Sequence, residues 1–138
     1  MTNCDFCKRL FGELIRRGAD LYLPLIDTGI DAIIRKEDGI YLEIQVKSTE
    51  EPDQAGYFNV YDISKRPADE FFIICVDMNK KNFKVEGRPN IWILPAKDFK
   101  EYMTSGCRLP IYERSHNHGN KKRDELLQNN LEAWGLLT

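Results

Sequence analysis

Residues 42 to 47 read Leu42-Glu43-Ile44-Gln45-Val46-Lys47, an alternation of apolar and polar side chains. On a strand, successive side chains point to opposite faces, so Leu42, Ile44 and Val46 share one face and Glu43, Gln45 and Lys47 the other. The first face is suited to a core, the second to water or a ligand. Upstream, Gly29-Ile30-Asp31 places a carboxylate at the head of the apolar run Ala32-Ile33-Ile34, and Glu37-Asp38-Gly39 between the two stretches is a turn signal. The spacing predicts a hairpin of 30–35 with 40–48 that brings Asp31 near Gln45 and Lys47. A carboxylate, an amide oxygen and an ammonium on one strand pair suit a hard cation with a group beside it that handles water, the chemistry of phosphodiester hydrolysis.

A chain of 138 residues is expected to form one domain, with a main body over about 5–105 and a loop and helix over about 106–138. Its 42% hydrophobic and 30% charged content is that of an ordinary globular protein. No apolar run approaches the roughly 18 residues of a membrane span, and Met1-Thr2-Asn3-Cys4-Asp5 has no basic stretch leading into an apolar one, so a cytoplasmic protein without membrane contact is expected. The net charge of -2 does not advertise a nucleic-acid binder. It averages over local asymmetry, however: Lys8, Arg9, Arg16 and Arg17 cluster early, and Lys121, Lys122 and Arg123 late.

Phe6, Cys7, Leu10, Phe11, Leu14 and Ile15 recur at helical spacing ahead of Gly18, predicting a helix over about 5–17. Short strands are expected over 20–25 and 57–63. Phe71-Phe72-Ile73-Ile74-Cys75-Val76 is an apolar run suited to a strand covered on both faces, and Ile91-Trp92-Ile93-Leu94 gives a shorter one before Pro95. A short helix is expected over 97–103, loops over 49–56 and 114–122, and a final amphipathic helix carrying Leu126, Leu127, Leu131 and Trp134.

This order of helix, strand, Asp-bearing strand, strand with Gln-x-Lys, then buried strand resembles the PD-(D/E)XK nuclease superfamily over roughly the first three quarters of the chain. Gln45-Val46-Lys47 is similar to the Gln-x-Lys variant of Mrr-type restriction enzymes and of small bacterial and archaeal members, with Gly29 and Asp31 at the matching upstream positions. The resemblance implies an α/β fold with a restriction-endonuclease-like mixed central sheet flanked by helices and a C-terminal helix. It also implies cleavage of DNA dependent on Mg²⁺ or Mn²⁺. Asp31 would be the principal metal ligand, Gln45 would lend its side-chain carbonyl and Val46 its main-chain carbonyl, and Lys47 would position or activate the attacking water. Glu13 stands where many members carry an acidic residue that completes the site. Gln45 replaces the superfamily's commoner acidic ligand, removing one negative charge, and Glu43 lies on its face roughly 7 Å along the strand, in reach of a supporting role.

Each feature also has a plainer reading. A half-solvated sheet displays Glu43, Gln45 and Lys47 without any chemistry, although the apolar run around Asp31 is unusual for a wet strand. Glu13, Arg16 and Arg17 suit a solvated helix face as well as a role at a metal or a phosphate, and Lys121, Lys122 and Arg123 share that ambiguity. Cys4 and Cys7 have ligand spacing that His116 and His118 could complete, or they start a helix and face a core. Trp92 and Trp134 suit core or interface anchors. The function expected from this pattern is a metal-dependent DNA endonuclease acting as a homodimer, since one centre cuts one strand. The alternative is a catalytically inactive nuclease-fold module for nucleic-acid binding or protein assembly.

Overall fold

The computed structural model describes residues 5–26, 28–49, 57–66, 69–112 and 120–138. Helix α1 (Asp5–Arg16) buries Cys7, Leu10, Phe11 and Leu14, the positions that fall on one side at helical spacing. It stops in a Schellman arrangement: Gly18 adopts φ +97°, its N–H donates to the Ile15 carbonyl, and the Ala19 N–H donates to that of Leu14.

Strands β1 (Asp20–Tyr22), β2 (Ala32–Arg35) and β3 (Tyr41–Thr49) follow, then β4 (Tyr57–Asn59), β5 (Phe71–Asp77), β6 (Asn90–Pro95) and β7 (Arg108–Pro110). Helix α2 (Ala96–Tyr102) lies between β6 and β7, and α3 (Lys121–Asn130) comes last. The central sheet is mixed, with order β1-β2-β3-β5-β6: β3 runs parallel to β5 and every other pairing is antiparallel. The hairpin turn is closed as expected, with Gly39 at φ +87° and the Ile40 N–H donating to Asp38 at 3.0 Å.

A parallel pair needs a crossover, and here the chain between β3 and β5 passes through β4 and a 3₁₀ turn, Ile63–Lys65. The sheet divides the apolar residues into two cores, and the crossover covers one of its faces. On one face Leu42 and Ile44 of β3 pack with Ile74 and Val76 of β5 under α1, Trp134 and Leu137. On the other, Ile73 and Cys75 pack with Phe58, Ile63, Phe99, Leu109 and Leu127. β5 is therefore covered on both faces, as its unbroken apolar run required. Truncating a fully buried residue such as Ile74 to Ala would cost about 2–5 kcal/mol.

One buried carboxylate ties down the far end of β5. Asp77 accepts from Thr49 Oγ1 (3.3 Å), the Asn79 N–H (2.9 Å), Asn82 Nδ2 (3.0 Å) and the Tyr112 hydroxyl (2.5 Å). These donors replace the water that the charge loses on burial.

Several expectations are corrected. The second strand begins at Ala32, so Asp31 stands just ahead of it rather than inside it. The strand at 20–25 ends at Tyr22, because the chain past it is unpaired and Pro24 supplies no N–H. The strand at 57–63 shortens to β4, and its partner β7 had no signal, being only Arg108-Leu109-Pro110 after the turn at Gly106. The last helix ends at Asn130: Leu131 makes a bridge with Trp92, and Trp134 turns in a 3₁₀ segment to the α1 face. Most of the 49–56 and 114–122 loops, with Cys4, His116 and His118, lies outside the described residues.

Candidate active site

β2 and β3 pair from Arg35 opposite Tyr41 to Ala32 opposite Ile44, and the Asp31 N–H adds a bond to the Ile44 carbonyl at 2.8 Å. Past this point β3 continues to Thr49 while the chain leading into β2 is no longer a strand. A longer β2 would have supplied an acceptor for the Val46 N–H. Asp31 supplies it instead, its Oδ2 accepting at 2.7 Å. In a strand, the N–H and C=O of one residue point to the same edge, so the Val46 carbonyl faces the gap that Asp31 occupies.

Ala32 pairs with Ile44 and the Asp31 N–H meets the same Ile44, so Asp31 and Ala32 together oppose one residue and the regular register ends before Gln45. Gln45 is 7% exposed, and its Oε1 is buried without a hydrogen-bond partner. Buried polar atoms are nearly always satisfied, so this amide oxygen retains the capacity to accept from a donor or to ligate a cation. Lys47, two residues on and half-buried, shares the face of Gln45 and sits opposite Cys75. Burial pushes the Cys75 thiol well above the ordinary range, and the nearby Lys47 ammonium offsets only part of that rise. Glu43 lies on the same face, half-buried between Ile33 and Phe71.

The donor types fit a hard divalent cation: the Asp31 carboxylate, the Gln45 amide carbonyl without a partner and the Val46 main-chain carbonyl, the last two on adjoining residues of β3. Among the described residues, no group of three or more His, Cys, Asp or Glu side chains gathers as a metal cluster. With a single formal charge, this set predicts modest affinity.

Other sequence candidates are placed elsewhere. Glu13 belongs to α1, which covers the opposite face of the sheet, and its carboxylate pairs with Arg16 and, at 2.9 Å, with Arg17. Those two guanidiniums hold its pKa below the usual carboxylate value. Arg17 also stacks on Trp134, 5.1 Å from the ring centroid. Glu13, Arg16 and Arg17 thus form a helix-surface cluster that does not join Asp31, because the amphipathic pattern of α1 turns its polar side away from the sheet. Arg123 is 2% exposed and donates to Asp124 at 3.0 Å, which removes it from any basic surface, whereas Lys121 and Lys122 are exposed. All three sit on α3, beside β6 and two strands from β3. Cys7 is buried in the α1 core, and Trp92 and Trp134 are buried as well.

Two residues escaped the sequence reading. Arg66 donates to the Thr28 carbonyl and to Asp62 at 3.0 Å, closing over Gly29. Asn59 of β4, a strand in contact with β3, has a second buried amide oxygen without a partner. The only sequence sign of the first was Gly29 itself, whose φ of +85° demands glycine.

No known protein family matches the sequence, and no curated protein sequence matches it. Among solved structures, the chain is similar to a bacterial homing endonuclease, I-Ssp6803I, with a TM-score of 0.61 at 19% identity, over 94% of this chain and 83% of that one. The likeness establishes a shared fold, a five-stranded mixed sheet with flanking helices.

Proposed function

We propose that the protein is a divalent-metal-dependent DNA endonuclease whose reaction centre is Asp31, Gln45 and Lys47. The observation that carries this reading is the gap between β2 and β3, where the Asp31 carboxylate meets the Val46 edge, with the unpartnered amide oxygen of Gln45 on the preceding residue of β3. The fold shared with a homing endonuclease supports it.

Asp31, Gln45 Oε1 and the Val46 carbonyl would hold Mg²⁺ or Mn²⁺, which supplies Lewis acidity and a more acidic bound water. Lys47, on the same strand face, orients the attacking water and offsets charge that builds on the phosphoryl oxygens. Glu43 acts at longer range on that water network. Asp31 has two tasks, since it also fixes the β3 backbone through the Val46 N–H. Lys121 and Lys122, exposed on α3, contribute at most general attraction to phosphates.

Cutting both strands of a duplex requires two centres, hence a homodimer. The exposed Leu23, Leu25 and Ile26, next to the edge strand β1, form the apolar surface for it. The decisive experiment is cleavage of plasmid DNA with Mg²⁺ or Mn²⁺ by the native protein and by Asp31→Asn; cleavage that survives the substitution removes Asp31 from the mechanism. A second reading, a nuclease fold that binds nucleic acid or protein without chemistry, is favoured by one observation: among the described residues no group of three or more His, Cys, Asp or Glu side chains gathers, and Gln45 brings no charge of its own. Metal-independent DNA binding with no cleavage would select it.

A further inference from the structure

We infer that Arg66 is a positioning residue that sets the Asp31 carboxylate by clamping the segment before β2, an inference that rests on the endonuclease reading for its catalytic consequence. Asp31 is held to β3 through its own N–H and carboxylate, while the chain leading to it at 28–30 is not part of a strand. Arg66 fixes it from the side. Its Nη2 donates both to the Thr28 carbonyl and to Asp62 Oδ2 at 3.0 Å. The guanidinium carbon sits 5.7 Å from the centroid of the Phe71 ring, at the start of the strand that flanks β3.

The fit against Gly29 is close. A Cβ built there would stand 2.5 Å from Arg66 Nη2, so the missing side chain is what admits the guanidinium. Arg66 is anchored in turn, because its own carbonyl accepts from Lys100 Nζ at 2.8 Å, linking the clamp to α2. Its Nε is buried with no partner.

The test uses Arg66→Met, which keeps an apolar stem over Phe71 and removes the donors, together with Arg66→Lys. Amide hydrogen exchange is followed at Val46, whose N–H reports the Asp31 contact, and at Ile74 in β5 as the reference for global stability. The expected result is exchange about tenfold faster at Val46 with Ile74 unchanged in Arg66→Met, and an intermediate effect in Arg66→Lys, which retains a donor. In cleavage assays, kcat should fall about tenfold with KM for DNA unchanged. Val46 exchange like that of the native protein, or equal acceleration at both amides, overturns the clamp. If the native protein cleaves nothing, the endonuclease reading fails while the exchange result still decides the role of Arg66.

Discussion

The Oδ2 of Asp31 accepts the main-chain N–H of Val46 at 2.7 Å, joining the residue ahead of one strand to the backbone of the next where the two part. Asp31→Asn and Asp31→Ala should therefore separate structure from chemistry. The amide oxygen of Asn still accepts from Val46, so denaturation should be almost unchanged while cleavage falls at least about a hundredfold through the lost charge. Ala leaves the N–H without a partner and should add a destabilisation of about 1–3 kcal/mol. Equal denaturation midpoints for the two variants would count against the contact.

Gln45→Glu adds a second carboxylate to the proposed centre at a position that is 7% exposed. Without metal the two charges repel, and the melting temperature should fall. With Mn²⁺ the order should reverse, with apparent metal affinity rising about tenfold through the added ligand charge. Titration calorimetry and melting with and without metal check both signs; a variant whose melting ignores metal would place the cation elsewhere.

Glu13→Gln should leave cleavage at its native rate, since Glu13 lies on the helix covering the other face. Its effect should appear in stability against pH. Arg16 and Arg17 lower the pKa of Glu13 in the folded state. The stability it contributes is thus present above the ordinary carboxylate value and is lost as pH falls through the lowered one. Native and variant melting curves should differ slightly at neutral pH and converge on acidification.

Cys75 should resist alkylation in the native state. Burial raises its thiol pKa far above neutrality, leaving almost no thiolate, whereas Cys107 is partly exposed. Iodoacetamide at mildly alkaline pH should modify Cys107 and spare Cys75 until denaturant is added, as read by peptide mass mapping. Ready labelling of Cys75 in the folded protein would contradict the two-sided burial of β5.

Leu25→Glu, at a fully exposed position, should leave the melting temperature of the isolated subunit unchanged and shift self-association toward the monomer. Light scattering over a concentration series reads this. Assembly unaffected by both Leu25→Glu and Ile26→Glu would move the interface to another surface.

Patterns with short range were legible in the chain. The alternation of 42–47, the unbroken apolar run of 71–76 and the turn at Gly39 specified β3, β5 and the hairpin, because side-chain period and turn chemistry act between neighbours. The same local logic brought Asp31 to β3, where its N–H meets Ile44 and its carboxylate meets Val46. β7 was illegible: three residues have no period, and only pairing with β4 makes them a strand.

Which face a helix covers, and which partner a charge finds, were decided by tertiary structure. Glu13 and Arg123 look alike in sequence to residues that serve a site or bind phosphate, yet packing sends one to a surface ion-pair cluster and buries the other. The sequence by itself determined the hairpin of β2 with β3. Only the folded chain, by burying surface between segments far apart, brought Arg66 over Gly29 and left the buried Gln45 oxygen without a partner. Hydrophobic burial is non-directional and acts over any sequence separation, so its outcome at a single side chain cannot be read from local spacing.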